Sequence, residues 1–220
     1  CTNPTAVNYD ANATVDDGSC VYSCTVAPYC ESFDLGVGTW INNGWVLNSF
    51  GTSSSSTGPS DDITGGGNYM YYETSSGYSP TVNMTSECLD ISLLSTPSLS
   101  FYNHMYGATI GTLDIYVNGT LEWTMSGDQG NQWNFAQVDL SAYAGTEITI
   151  MIEASYGGSF TGDIAIDEVC IGEYAFITGC TDPIALNYDP YANVDDGSCT
   201  YCPGPMMTLN MYDSFGDGWN

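Results

Sequence analysis

The stretch from Gly162 to Ile171 constrains the fold of this chain more than any other. It reads Gly-Asp-Ile-Ala-Ile-Asp-Glu-Val-Cys-Ile, with the apolar alternation of a half-buried strand and a cysteine near its end. A strand this apolar, close to the end of a long β-rich region, is typical of the middle of a sheet. Cys88 stands alone upstream in the same region, and we therefore predict a Cys88–Cys170 disulfide across the fold.

The region from Glu31 to about Tyr174 contains strand-like runs separated by Gly, Asn and Ser, and it shows no helical period. The clearest hairpin runs from Thr112 to Trp123, with alternating apolar residues on both sides of a type I′ turn at Asn118-Gly119. Further strands are predicted at Phe135–Leu140 and Glu147–Glu153. About 145 residues of this texture predict an all-β fold, a jelly-roll-like sandwich of two antiparallel sheets.

Both ends of the chain carry a copy of one short motif. Residues 1–22 and 180–201 are identical at 15 of 22 positions when aligned without a gap, which marks an internal repeat. Each copy is too short to bury a core. We therefore predict that a disulfide closes each one, Cys1–Cys20 in the first and Cys180–Cys199 in the second, at about 3 kcal/mol each in the chain-entropy model.

Three further cysteines lie outside these loops. Cys24 and Cys30 flank a short connector, and we expect them to pair with each other. Cys202 is expected to pair with a cysteine beyond residue 220.

Carboxylates occupy matching positions in the two repeats, each time just ahead of a glycine. Closely spaced oxygen ligands that end in Asp-Asp-Gly resemble calcium loops, although the Glu and the helices of an EF-hand are missing. The alternative is a disulfide-closed turn whose Asp and Asn side chains bond their own backbone. The candidate calcium ligands are Asp10, Asp16 and Asp17 in the first copy, and Asp189, Asp195 and Asp196 in the second.

The chain contains no Lys and no Arg against 26 Asp and Glu residues, a formal net charge of -26. Buried or clustered carboxylates therefore need a metal ion, backbone N–H groups or a proton. Binding to nucleic acid or to an anionic membrane is disfavoured, because both rely on Lys and Arg, and no apolar run is long enough for membrane insertion.

Nine cysteines indicate an oxidising, extracellular location, where the sequons at Asn12, Asn83 and Asn118 are formal glycosylation sites.

Several separate motifs of the β-rich region resemble the MAM domain in order and spacing. They are Gly58–Thr64, Gly67–Glu73, Phe101–Gly107, Gly111–Leu113 and Gly162–Ile171. The resemblance implies a jelly-roll sandwich that serves extracellular adhesion and association.

The resemblance also implies a cation bound between the start of the domain and its last strand. Carried over position by position, its ligands are Asp34, Asp62 and Asp167. Two features depart from the family: Ile63 replaces a His that follows the Asp, and the N-terminal cysteine pair differs.

The acidic repeats resemble the cysteine-bounded Asp-Asp-Gly-Ser-Cys repeats of large secreted surface proteins of the Bacteroidetes. That likeness implies export by the type IX pathway and a role in attachment or gliding. We expect four segments: a repeat at 1–24, a MAM-like sandwich at 25–175, a second repeat at 176–202 and the start of another β-module at 203–220.

The function expected from these segments is that of a non-enzymatic part of a cell-surface adhesin or filament. The sandwich would bind other surface proteins or glycans, and calcium would stiffen the repeats against neighbouring domains. The alternative is a carbohydrate-binding module of a secreted hydrolase, which exposed coplanar aromatic side chains would favour and buried tryptophans would disfavour.

Catalytic residues are hard to find in this sequence. Its only histidine, His104, lies in a predicted core strand, where such a residue is more often structural than a base. Asp163 and Asp167 would lie about 13 Å apart on one strand at about 3.3 Å per residue, which is too far for a glycosidase pair. We therefore expect no enzyme.

Overall fold

The computed structural model describes residues 1–2, 7–15, 17–20, 23–75, 79–174, 178–189, 192 and 194–201. The chain divides into two units, Cys1–Tyr174 and Ala175–Asn220. The first unit contains the first repeat and the whole β-sandwich, and the second contains the second repeat. Among the described residues, no helix is long and apolar enough to cross a membrane.

The first unit is built almost entirely of β-strands. In chain order they are β1 (Thr25–Val26), β2 (Tyr29–Glu31), β3 (Ile41–Asn43), β4 (Val46–Asn48), β5 (Tyr69–Tyr72), β6 (Thr81–Thr85), β7 (Leu89–Asp90), β8 (Pro97–Met105), β9 (Thr112–Val117), β10 (Thr120–Ser126), β11 (Asn134–Asp139), β12 (Glu147–Ile148), β13 (Ile150–Ser155) and β14 (Ile164–Glu173), with a short 3-10 helix at Ser141–Tyr143. The second unit pairs β15 (Thr178–Gly179) in parallel with β16 (Val194–Asp195).

Two large antiparallel sheets form the sandwich. One has the strand order β10-β9-β13-β6-β3, and the other has the order β11-β8-β14-β5-β4 with β2 also paired to β14. A small third sheet has the order β1-β7-β12. The prediction of an all-β, jelly-roll-like sandwich is confirmed, and β14 lies inside its sheet as its sequence predicts.

Side chains that alternate along the central strands fill the space between the sheets. On β9 Leu113, Ile115 and Val117 are fully buried, whereas the residues between them face outward. The type I′ turn that follows is present, with positive φ at both Asn118 and Gly119. Because truncation of such core residues to Ala costs about 2–5 kcal/mol each, this alternation is what holds the two sheets together.

The predicted strand Glu147–Glu153 is divided in the structure. Its first part is β12, which pairs with β7 in the small sheet, and its second part is β13, which pairs with β6 and β9 in a large sheet. The return strand of the 112–123 hairpin also differs from a plain alternation. A bulge between Leu121 and Trp123 leaves Leu121 exposed while Trp123 packs against the core.

Two predicted disulfide pairings are wrong. Cys24 is bonded to Cys88, and Cys30 is bonded to Cys170. The reason is that the connector does not fold back on itself: β1 pairs with β7, while β2 pairs with β14. Cys24 and Cys88 immediately precede the paired strands β1 and β7, and Cys30 lies directly opposite Cys170 in the register of β2 and β14.

The two repeats have the same internal frame, as their identity predicts. Disulfides join Cys1 to Cys20 and Cys180 to Cys199. The N–H of the aspartate at position 10 or 189 donates to the carbonyl of the first cysteine in both copies, at 3.1 and 2.9 Å. Cys202 and residues 203–220, including the predicted further module, lie outside the described residues.

Candidate metal centre

Asp167 lies at the point where β14 changes partner. Residues 164–166 of this strand pair with β5, and residues 169–171 pair with β2. The register with β8 shifts between Asp167 and Cys170, and Glu168 has a φ of 50°. Such a bulge re-aims a side chain within a strand. Asp167 is 1% exposed and lies in the gap between the ends of β5 and β2.

Two loops bring Asp34 and Asp62 to the same place. Asp34 follows β2, and Asp62 belongs to the loop between β4 and β5. The Asp62 Oδ1 accepts the Gly67 N–H at 2.9 Å, and the Asp34 Oδ1 accepts the Asn68 N–H at 2.9 Å. Both carboxylates are therefore held by neighbouring backbone amides of one glycine-rich turn.

The same loop reaches Asp167 from its other end. The Asp167 Oδ2 accepts the Ile63 N–H at 3.2 Å, and its Oδ1 accepts the Glu168 N–H at 2.8 Å. The family departure at Ile63 leaves this bond intact, because the backbone and not the side chain makes it. The loop thus joins all three candidate ligands of the sandwich.

Gly67 keeps the space between two of these carboxylates free. A Cβ at this position would lie 2.1 Å from the Asp34 Oδ1 and 2.8 Å from the Asp62 Oδ2. Those two oxygens therefore face each other across a volume that any other residue would fill. Sequence reasoning missed Gly67, although the run Gly65-Gly66-Gly67 between two acidic segments was a visible signal.

The carboxylates at the centre differ in proton affinity. Burial raises the pKa of Asp62, but hydrogen bonds from Thr64 and Gly67 outweigh it and hold the pKa at about 2. Burial raises the pKa of Asp167 to about 7; its backbone hydrogen bonds oppose the rise, and the charges of Glu168 and Asp62 add to it. At neutral pH, Asp62 is ionised and Asp167 is close to its pKa. A nearby cation would lower the pKa of Asp167 and favour its ionised form.

The donor set fits a hard cation such as Ca²⁺, which takes carboxylate and backbone oxygens. The three carboxylates do not all lie within the short mutual distance that a shared ion requires, however. Among the described residues, the group of three candidate donors with all ligand atoms within 4.8 Å is Cys24, Cys88 and Glu147, and its cysteines are joined in a disulfide. Asp34, Asp62 and Asp167 converge on one loop without reaching that mutual distance, so bound metal would draw them closer.

An open cleft of about 490 Å³ adjoins the centre. It is lined by Asp34, Asn68 and the glycine-rich turn on one side, and by Ser49 and Phe50 on the other. The Phe50 ring is 75% exposed. A ligand in this cleft would contact both an aromatic ring and the edge of the carboxylate cluster.

The acidic side chains of the repeats satisfy themselves locally. Asp10 accepts the Asn12 N–H and Asp17 accepts the Ser19 N–H. In the second copy, Asp196 repeats the Asp17 turn by accepting the Ser198 N–H, and Asp195 accepts the Gly197 N–H. These are the self-bonded turns of the alternative interpretation. Asp189 lies near Gly179, and Asp16 lies outside the described residues. Calcium binding by the repeats stays a prediction.

His104 has a structural environment. It is 2% exposed, its Nε2 is 3.1 Å from the Asn131 Oδ1, and its ring contacts Trp133 edge to face. Burial lowers its pKa to about 4, so the imidazole is neutral at pH 7. An imidazole held this way in the sheet is poorly suited to act as a base.

The remaining predicted features supply no ligand to the candidate metal centre. Trp40 and Trp45 are buried, and Trp123 and Trp133 pack against core clusters, so these tryptophans form no exposed platform. The sequon residues Asn12 and Asn118 are exposed, and Asn83 is half-buried on β6.

Comparison with known proteins gives a consistent result. Residues 31–175 match the family model described as MAM domain, meprin/A5/mu. The chain is 32% identical over 156 residues to Neuropilin-1a of Danio rerio, and 34% identical over 154 residues to MAM domain-containing glycosylphosphatidylinositol anchor protein 2 of Mus musculus. These alignments cover 63% and 60% of the chain and 16% of each relative, so the chain spans about a sixth of their length.

Among solved structures, the K1 cleaved adhesin domain of Lys-gingipain from Porphyromonas gingivalis W83 aligns with a TM-score of 0.49 at 18% identity. This alignment covers 68% of the chain and 99% of that domain.

Proposed function

Because the chain belongs to the MAM family, we propose that it is a non-enzymatic, extracellular adhesion segment whose sandwich binds a partner protein or glycan beside a calcium ion. The observation that carries this proposal is the convergence of Asp34, Asp62 and Asp167 on the loop around Gly67. In a chain without Lys or Arg, a divalent cation is the simplest group that neutralises three carboxylates together.

The calcium ion would act on the shape of the binding surface. Asp34, Asp62 and Asp167 would hold it, and it would supply positive charge where backbone amides and the hydroxyls of Ser32 and Thr64 now donate hydrogen bonds. The residues of this chain fix the loop: Gly67 leaves the ion its space, and Ile63 and Asn68 hold two of the carboxylates through their N–H groups. The adjoining cleft with Phe50 would thereby keep one conformation for its partner.

We assign the repeats to the role of disulfide-closed joints between successive domains of a longer surface protein. The shared hydrogen-bond frame of the two copies supports a structural unit that is reused. Calcium stiffening of these joints, export by the type IX pathway and a part in attachment or gliding belong to the same proposal. Four disulfides are consistent with an extracellular location.

A carbohydrate-binding module is the second candidate, and one observation favours it: the exposed Phe50 ring beside the acidic cleft. An aromatic face of this kind can stack on a sugar ring. The buried or packed tryptophans favour the adhesion segment instead, because none of Trp40, Trp45, Trp123 and Trp133 presents an exposed ring for stacking on a sugar.

Calcium titration of the folded segment tests the proposal. Isothermal titration with Ca²⁺, with Na⁺ and Mg²⁺ held constant, should detect an ion that the Asp62→Asn variant loses. Asp139→Asn is the matched control, because Asp139 is an exposed carboxylate of the same unit that bonds Ser141. Equal calcium binding by all three proteins would remove the metal from the proposed function.

A further inference from the structure

A second carboxylate of the β14 region is buried without full hydrogen bonding. Asp163 is completely inaccessible to solvent. Its Oδ1 accepts both the N–H and the hydroxyl of Thr74, at 3.1 and 3.0 Å. Its Oδ2 is buried and has no hydrogen-bond partner. Burying a carboxylate oxygen without a hydrogen bond destabilises the folded state, so we expect a bound group that interacts with this oxygen.

This chain has few ways to supply that group. It contains no Lys and no Arg that could approach the oxygen. The neighbouring ionisable side chain is another acid, Glu73, which is half-buried and accepts hydrogen bonds from Ser53 and Tyr71. Burial raises the pKa of Asp163, and the charge of Glu73 adds to this rise against the Thr74 hydrogen bonds. Hydroxyl and amide donors of Thr74 and Thr52 thus offset this charge only in part, and no cationic side chain completes the compensation.

Further oxygen atoms surround Asp163. The Thr57 Oγ1 accepts the Asp163 N–H at 2.9 Å, and the Thr52 hydroxyl donates to the Thr57 carbonyl at 3.2 Å. The Thr52 hydroxyl also interacts with the Asp163 carboxylate. Gly58 leaves room for the Thr52 hydroxyl beside these groups, because a Cβ at position 58 would lie 2.4 Å from the Thr52 Oγ1. Carboxylate, hydroxyl and carbonyl oxygens together are the ligand types that Ca²⁺ takes.

We propose that Asp163 and Glu73 hold a calcium ion of their own, with oxygens of Thr52 and Thr57 among its further ligands. The site is separate from the metal centre, because it shares no carboxylate with Asp34, Asp62 or Asp167. Two carboxylates match the charge of a divalent cation, and the unpartnered Asp163 Oδ2 supplies a ready ligand atom. The ion would tie the loop between β4 and β5 to the start of β14.

Counting bound calcium in single variants of the whole segment tests this site. Equilibrium dialysis against ⁴⁵Ca²⁺ should find one ion fewer per chain in Asp163→Asn than in the unmodified protein. Asp167→Asn should lose a different ion, and the double variant should lose both. If Asp163→Asn loses an ion and Asp167→Asn does not, this site is upheld and the metal is removed from the proposed function. If only Asp167→Asn loses an ion, the metal of the proposed function is upheld and this site is overturned.

A second variant keeps the test decisive where Asp163→Asn fails to fold. Glu73→Gln alters a half-buried residue and should weaken the same ion at least tenfold. Glu153→Gln is its control, because Glu153 is a half-buried carboxylate on β13. Unchanged calcium number and affinity in folded Asp163→Asn, or in Glu73→Gln where the former does not fold, would overturn the proposal and leave a proton or a water on Asp163.

Discussion

Replacing Asp167 by Asn should stabilise the calcium-free protein at pH 8. Burial raises the pKa of this carboxyl from 3.8 to about 7, and at 1.36 kcal/mol per tenfold change in proton affinity this corresponds to about 4 kcal/mol. Because the folded state binds this proton more tightly than the unfolded state, the contribution of Asp167 to stability is greatest below about pH 4 and falls as the pH rises towards 7. Above pH 7, the buried charge costs the folded state about 4 kcal/mol.

The Asn variant removes that charge but sacrifices one hydrogen bond. Its amide oxygen can accept the N–H of Ile63 or of Glu168 but cannot replace both carboxylate oxygens, which costs about 1–2 kcal/mol. The net gain at pH 8 is then about 2 kcal/mol, or about 5 °C in melting temperature for a chain of this size. Calcium reverses the order: at a hundredfold excess over its Kd, the ion held by Asp167 should add about 2.7 kcal/mol to the unmodified protein, and the variant should lack this increment.

Thermal unfolding at pH 5 and pH 8, with calcium and with a chelator, measures all of these terms with the disulfides intact. Relative to the Asn variant, the unmodified protein should lose stability between pH 5 and pH 8 in the chelator and not with calcium. A variant that melts below the unmodified protein in the chelator at pH 8 would refute the assigned burial cost. A variant that responds to calcium as strongly as the unmodified protein would refute the role of Asp167 in binding the ion.

Three further predictions concern a glycine, a disulfide and the histidine. Gly67→Ala should weaken calcium binding at least tenfold in an isothermal titration, because its Cβ would lie 2.1 Å from a carboxylate oxygen, whereas Gly172→Ala, whose Cβ would meet only a side-chain carbon at 3.9 Å, should bind normally. Replacing Cys30 and Cys170 together by Ser should lower the free energy of unfolding in urea by about 2–5 kcal/mol, and peptide mapping of the unmodified protein with a Glu-specific protease should recover these two cysteines in one linked fragment. The His104 ring protons should titrate in NMR near pH 4, since burial depresses the pKa, and stability should fall as the pH drops below about 6.5; a midpoint above pH 6 would contradict the buried, neutral imidazole.

The fold was predictable because its signals are local. Alternation along β9, the Asn118-Gly119 turn and the apolar run of β14 each follow from neighbouring residues, and the structure has all three. The disulfide pairings were not predictable in the same way. They depend on which strand pairs with each end of the connector between Cys24 and Cys30, and the sequence of that connector carries no signal for the choice between β7 and β14.

The candidate site was predictable only in part, for a similar reason. The positions of Asp34, Asp62 and Asp167 follow from the family resemblance. Their arrangement depends on a bulge in β14 and on a loop that donates backbone N–H groups to all three. The orphaned oxygen of Asp163 was invisible in the sequence, because Asp163 reads there as an ordinary polar residue at a strand end.

Two sets of carboxylates among the described residues differ in environment, and this difference orders their expected affinity for calcium. Exposed acids such as Asp17, Asp139 and Asp196 accept hydrogen bonds from a residue two positions ahead, which lowers their pKa, so they are stable as anions in water without a metal ion. Asp163 and Asp167 are buried, and their pKa values are raised instead. A cation gains most where the anion is poorly solvated. The sandwich should therefore bind calcium more tightly than the repeat loops do, and in a titration followed by ⁴⁵Ca²⁺ binding the ions that Asp163→Asn and Asp167→Asn remove should be the first to saturate.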